Sequence, residues 1–268
     1  MEWPLAMSPS LHDAGLDLSG KVIVVTGGTS GIGRALVRGL AAAGADVVPT
    51  SRRRELVDEV AAEVEQAGRR TLRVVSDVMD ARSIDAAAAL VLERFERVDV
   101  LVNCAGINKR QPTLEMDEAD WRLILETNLM GTVRACRSFG RHMLERGRGR
   151  IINIASITSF VALHEVAAYG ASKAAVASLT RSLAIEWGPR GVNVNAIAPG
   201  VFPTEINRNL IHGTPRGHEL LMRTPLKRFG RAEELAGAAV FLASDAASFV
   251  NGEVLTVDGG FLASGVNQ

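Results

Sequence analysis

From Lys21 onward, short apolar, β-branched runs alternate with longer stretches of helical periodicity. Lys21-Val22-Ile23-Val24-Val25-Thr26 predicts a first strand; helix-forming residues follow over 34–43, and Gly44 stops them. Val47-Val48 marks a second strand. A helix is predicted over 55–66, with Leu56, Val60 and Val64 on one face and Gly68 at its end. The alternation continues with a strand over 71–76, a helix over 83–95 and a strand over 98–103. A long helix then runs from about 120 to 143, ended by Gly147-Arg148-Gly149. Strand five covers 150–155, a helix covers 169–187 up to Gly188-Pro189, and strand six covers 192–197. A helix over 232–242 and a strand over 253–257 complete the series.

Strands that are apolar on both faces and separated by helices imply a parallel sheet covered on both sides. No linker, charge block, internal repeat or low-complexity tract interrupts them. The expected fold is α/β, a single-domain, Rossmann-like doubly wound parallel sheet of seven strands with helices on both faces. It spans 17–268 behind an N-terminal extension over 1–16. The stretch 199–230 breaks the pattern with Pro203, Gly213, Pro215, Gly217 and Pro225, and an irregular segment of that length inside a domain reads as a substrate lid.

Composition narrows the function. Thirty Lys and Arg balance thirty Asp and Glu, so nothing marks a dedicated nucleic-acid binder. Cys104 and Cys136 form no C-x-x-C pair, and His12, His142, His164, His212 and His218 show no ligand spacing, so no metal is expected. The most Ala-rich stretch, 167–187, is interrupted by Lys173, Arg181 and Glu186, which excludes a membrane span there. The N-terminus lacks a basic start followed by an apolar run, so no signal peptide is expected, and the expected location is the cytoplasm.

The candidate chemistry starts after strand one. Thr26-Gly27-Gly28-Thr29-Ser30-Gly31-Ile32-Gly33 joins a strand to a helix. Glycines there let backbone approach a pyrophosphate, and the N–H groups at the helix start point at the anion. At the end of strand two an acidic residue would hold a ribose 2′-hydroxyl and repel a 2′-phosphate. Ser51 stands there instead, followed by Arg52 and Arg53, and a hydroxyl with guanidinium groups can hold a phosphate. NADP(H) is therefore the favoured cofactor, with NAD(H) as the alternative. Tyr169 and Lys173 lie four apart, on one helix face. A tyrosine with a reference pKa of about 10 becomes a usable acid/base beside an ammonium group. Tyr169 is the only tyrosine in the chain.

The spacing T-G-x-x-x-G-x-G, with Asn103-Cys104-Ala105-Gly106 after strand four and Tyr169-Gly170-Ala171-Ser172-Lys173 opening a helix, resembles the short-chain dehydrogenase/reductase family. The resemblance covers nearly the whole chain from Leu18. It implies a catalytic set of Asn128, Ser156, Tyr169 and Lys173. Ser156 would donate to the substrate oxygen, Lys173 would bond the nicotinamide ribose, and Asn128 would hold a relay water. It also implies that Thr26, Gly27, Thr29, Ser30, Gly31, Ile32, Gly33, Asp77, Val78, Asn103, Ala105, Gly106, Pro199, Gly200, Phe202 and Thr204 contact the cofactor, with Asp77 and Val78 at the adenine. The one frequent NADP marker it lacks is a basic residue in place of Ser30.

Gly106-Ile107-Asn108-Lys109-Arg110, Arg223-Thr224-Pro225 and Leu262-Ala263 are most similar to the family branch acting on sugars and sugar acids, such as gluconate 5-dehydrogenases. Candidate substrate contacts are Asn108, Lys109, Arg110, Ser156, His164 and Asn207, the two cations facing a carboxylate. A 3-oxoacyl-[acyl carrier protein] reductase is the rival within the enzyme class, with Phe160, Val161, Leu163 and Phe202 available for an acyl groove. A non-catalytic NADP-binding regulator is the rival outside it, and the intact catalytic set argues against that. The resemblance further implies a homotetramer built on the two long helices, consistent with apolar residues such as Ala135, Ala174, Ala177 and Leu183 on more than one helix face.

Overall fold

Every residue of the first strand, β1 (Val22–Thr26), is buried, because helices cover both faces of the sheet it belongs to. The computed structural model describes residues 15–204, 211 and 213–266. His12, His212 and Asn207 therefore lie outside the described residues, with most of the N-terminal extension and part of the expected lid.

Seven strands form one sheet in the order β3-β2-β1-β4-β5-β6-β7. The others are β2 (Asp46–Ser51), β3 (Val74–Val75), β4 (Val100–Asn103), β5 (Gly149–Ile154), β6 (Val192–Pro199) and β7 (Val254–Val257). All pairings are parallel. Helices α1 (Gly31–Ala42), α2 (Arg54–Gln66), α3 (Ala81–Phe95), α4 (Glu118–Leu125), α5 (Gly131–Arg146) and α6 (Ala167–Trp187) supply most of the connections. Two shorter helices follow, α7 (Pro215–Arg223) and α8 (Ala236–Ala243).

Side-chain alternation along the strands divides the core in two. Ile23 and Val25 face α1, α2 and α8 in one cluster, and Val22 and Val24 face α3, α5 and α6 in the other. The strand order reverses between β1 and β4, where a doubly wound sheet opens a crevice at its carboxyl edge. Register aligns that edge: Thr50, Thr26, Asn103, Asn153 and Ala196 pair across five strands. The next residues along β2, β1, β4 and β5, namely Ser51, Gly27, Cys104 and Ile154, line the rim.

Four expectations change in detail. The third strand is two residues rather than 71–76, because an edge strand has one neighbour and only Thr50↔Val74 and Ser51↔Val75 pair. The long helix is interrupted by a π-helical turn (Glu126–Met130) that carries Asn128. The segment 199–230 is not wholly irregular, since it contains α7. Thr214 caps this helix by accepting from the Gly217 N–H at 3.0 Å, and Pro215 fills its first turn. The helix expected over 232–242 splits into a 3₁₀ turn (Ala232–Leu235) and α8. Among the described residues no helix is long and apolar enough to cross a membrane.

Candidate active site

The loop after β1 is closed by backbone contacts. Gly27 has φ +67°, and a Cβ there would stand 2.6 Å from Ala105 Cα. A Cβ on Gly33 would collide with the Gly27 carbonyl, so α1 sits directly on the loop. Ser30 is the N-cap of α1 but makes no side-chain cap hydrogen bond, which leaves first-turn N–H groups available to an anion. The methyl of Thr204 lies 3.3 Å from the position of a Gly31 Cβ, bringing that residue over the same loop. These features fit a dinucleotide pyrophosphate. Gly200 is likewise pressed against Asp258 at the end of β6.

At the end of β2, the Arg53 N–H donates to Ser51 Oγ at 3.3 Å. Arg52 and Arg53 are exposed and make no ion pair among the described residues. A phosphate next to Ser51 would meet cations that are not already neutralised. Asp77 uses one carboxylate oxygen to accept from the Met79 N–H at 3.0 Å, and Val78 packs on Gly131.

The candidate catalytic residues converge above β5. Lys173 is buried, and its Nζ donates to the Ile154 carbonyl at 2.7 Å, which leaves two N–H groups for ribose hydroxyls. Its Nζ lies 5.7 Å from the centre of the Tyr169 ring. Burial pushes the Lys173 pKa down to about 8. Burial also raises the Tyr169 pKa above its ordinary value, and a hydrogen bond with Ser156 opposes that rise. Tyr169 is half-buried, open enough to meet a substrate. Ser156 Oγ accepts from the Thr158 N–H at 3.1 Å, which fixes its rotamer.

Asn128 is fully buried and its side chain is committed. Its Oδ1 accepts from the Ile107 N–H at 2.8 Å; its Nδ2 donates to the Ile107 carbonyl at 2.9 Å and to Ser172 Oγ at 3.0 Å. The π turn turns this side chain inward, and Thr132 Oγ1 donates to the Asn128 carbonyl at 2.8 Å. Asn128 thereby clamps the Gly106-Ile107 segment beside Lys173 Nζ. Asn103 is held by a buried chain: its Nδ2 donates to Asn153 Oδ1 at 2.9 Å, and Asn153 Nδ2 donates to Thr180 Oγ1 at 2.9 Å.

The substrate candidates are placed less uniformly. Lys109 is ion-paired to Asp120, and Arg110 Nη2 meets Glu165 Oε2 at 2.6 Å, so neither cation is unopposed. Asn108 and His164 are exposed. Glu165 has φ +63°, a left-handed conformation that costs a side-chain-bearing residue about 1–2 kcal/mol. The Phe202 side chain is buried in the core against Gly230.

A family model described as Enoyl-(Acyl carrier protein) reductase matches residues 27–262. The chain belongs to the short-chain dehydrogenase/reductase family. It is 41% identical to gluconate 5-dehydrogenase of Gluconobacter oxydans, over 94% of this chain and 99% of that protein. It is 43% identical to D-threitol dehydrogenase of Mycolicibacterium smegmatis, over 91% and 94% respectively. The crystal structure of a gluconate 5-dehydrogenase from Burkholderia cenocepacia in complex with NADP and tartrate superposes with a TM-score of 0.91 at 39% identity, covering 94% of this chain and 99% of that one.

Sequence reasoning missed several residues that hold this dehydrogenase/reductase site together: Asn153, Thr180, Ser172 and Ser159, whose Oγ donates to the Lys173 carbonyl at 2.8 Å. Asn153 did carry a signal, a polar residue at the centre of the otherwise apolar run Ile151-Ile152-Asn153-Ile154-Ala155. Asp120 and Glu165 carried none, because nothing in their own neighbourhood names Lys109 or Arg110 as partner.

Proposed function

We propose that this chain is an NADP(H)-preferring oxidoreductase acting on a secondary alcohol or ketone carbon of a sugar acid or polyol, as a cytoplasmic homotetramer with 199–230 as its substrate lid. The observation that carries the reading is the meeting of Ser156, Tyr169 and Lys173 beside the glycine cradle at one end of the sheet. When bound, the nicotinamide supplies or accepts the hydride.

The protein's own part is proton handling and orientation. Ser156 donates to the substrate oxygen and holds it beside the Tyr169 hydroxyl. In reduction Tyr169 gives its proton to the developing alkoxide; in oxidation it takes one. Burial keeps the phenol neutral, the form that reduction needs. Lys173, with a pKa of about 8, stays mostly charged at neutral pH and stabilises the phenolate left behind. Asn128 fixes the Gly106-Ile107 wall of the pocket, and with its side chain committed there a relay water near Lys173 would have to bond its backbone.

The relatives' names, gluconate 5-dehydrogenase and D-threitol dehydrogenase, support an acid or polyol substrate. The acyl alternative loses most of its groove: Phe202 is core, Val161 and Leu163 pack against the cluster that holds Leu220 and Phe261, and of the four only Phe160 stays exposed. The unopposed Arg52 and Arg53, and a relative crystallised with NADP, support the cofactor preference. Leu123, Met130 and Ile185 leave apolar side chains exposed on the two long helical segments, in keeping with the proposed assembly. Two free thiols, Cys104 and Cys136, suit the reducing cytoplasm.

The test is initial rates with NADPH and NADH on a panel of keto-sugar acids, ketoses and an acetoacetyl thioester. NADPH-linked turnover of the sugars is expected. An Arg52→Ala, Arg53→Ala enzyme should lose about 1.5–3 kcal/mol of NADPH affinity and keep NADH affinity. A preference for the thioester, or equal losses on both cofactors, overturns the reading. Sedimentation at micromolar concentration should show four chains, and a single-chain species would remove the tetramer.

A further inference from the structure

Helix α7 reaches back over the site. Leu220 on this helix is buried in one cluster with Ile157, the residue after Ser156. Arg216 lies one turn earlier on the same helix face, four residues from Leu220. It is half-buried, and its Nη1 donates to the His164 carbonyl at 3.0 Å. Arg216 is therefore tied to the loop that joins Ser156 to Tyr169.

Of the two guanidinium groups there, only one is ion-paired among the described residues. Glu165 is taken by Arg110, with His164 Nδ1 at 3.6 Å from its other oxygen. Arg216 makes no ion pair among the described residues; its side-chain hydrogen bond there goes to a neutral carbonyl. Burial, and then the neighbouring Arg110, hold its pKa below the ordinary guanidinium range, opposed by Glu165 and by Glu219 on its own helix. A cation in that position gains from an incoming anion, and a guanidinium offers a two-pronged fit to a carboxylate.

We propose that Arg216 is a specificity-determining residue that binds the carboxylate of a sugar-acid substrate from the α7 side, while Glu165 holds the neighbouring Arg110. This rests on the sugar-acid reading above and deepens it, because it explains how one fold separates sugar acids from neutral polyols. It also assigns Lys109, which Asp120 already neutralises, no part in that choice.

The experiment compares wild type, Arg216→Gln and Arg216→Lys. Each preformed complex with NADP+ is titrated with D-gluconate and with a neutral hexitol by calorimetry, and KM and kcat are measured for both. The Gln variant should weaken D-gluconate binding and raise its KM by about 10- to 100-fold, the range of one hydrogen-bonded charge. That loss should exceed the loss on the hexitol at least tenfold, with kcat for the acid little affected, and Lys should restore part of it. Equal losses on both compounds would make Arg216 a structural latch and overturn the proposal, as would an unaltered affinity for D-gluconate. Oxidation of D-gluconate by wild type and Gln variant with the same KM would sink the proposal and leave the functional reading standing. Arg216-dependent binding of D-gluconate without turnover of any sugar would do the reverse.

Discussion

Around the cofactor cradle, Gly27 and Gly33 press backbone onto backbone, and no side chain intervenes. Around the proposed substrate rim, Lys109, Arg110 and Arg216 reach across loops with long side chains to Asp120, Glu165 and the His164 carbonyl. The first region has no room for an added methyl group. The second is held by partly exposed charges, each worth little by itself. A ligand part common to many reactions can be met by rigid backbone, whereas substrate choice is left to side chains that can change without disturbing the fold.

The contrast can be tested from its strongest point outward. Tyr169→Phe keeps the ring and removes the proton, so kcat should fall by about 10²–10⁴ while cofactor affinity survives. Wild-type turnover in that variant would end the mechanism, because the chain holds no second tyrosine. In the cradle, Gly27→Ala combines a left-handed φ with a 2.6 Å approach to Ala105, and should cost about 2–4 kcal/mol in urea unfolding. A loss below about 0.5 kcal/mol would show that the loop can move aside.

Between the two regions lies Lys173, a charge embedded among packed groups. Its folded pKa of about 8 lies below the ordinary 10.5, so between those values the unfolded chain binds more protons. Wild-type stability should therefore rise relative to Lys173→Met as pH climbs from 8 to 10.5, and the wild-type deficit should be largest below pH 8. The full change is about 2–4 kcal/mol at roughly 1.4 kcal/mol per unit. Denaturation curves at pH 7 and pH 10 check the sign, and the opposite slope would mean that the ammonium is better solvated than its burial indicates. The smallest effect belongs to the rim: Lys109→Ala should change stability by no more than about 1 kcal/mol, since its pair with Asp120 is partly exposed. A larger loss in thermal unfolding would place that pair among the supports of the fold.

Much of this molecule was legible in the chain because the relevant information is local. Alternating apolar runs specify strands, and their two-sided burial implies a covered parallel sheet, which is what β1 to β7 form. Glycines between a strand and a helix announce a phosphate loop through backbone freedom alone. Tyr169 and Lys173 share a helix face because the helix repeat puts them there. The partners of the charged residues were a different matter. Lys109 and Arg110 read as free cations, yet Asp120 and Glu165 claim them from a later helix and a distant loop. Asn153 supports Asn103 only because β4 and β5 lie side by side in register. Arg216 meets the His164 carbonyl only because α7 packs back toward Ile157. Sequence spacing determines dihedral angles and the face a side chain occupies. Which charge meets which across the opening depends on where the connections land, and that is decided by packing the whole sheet and its helices at once.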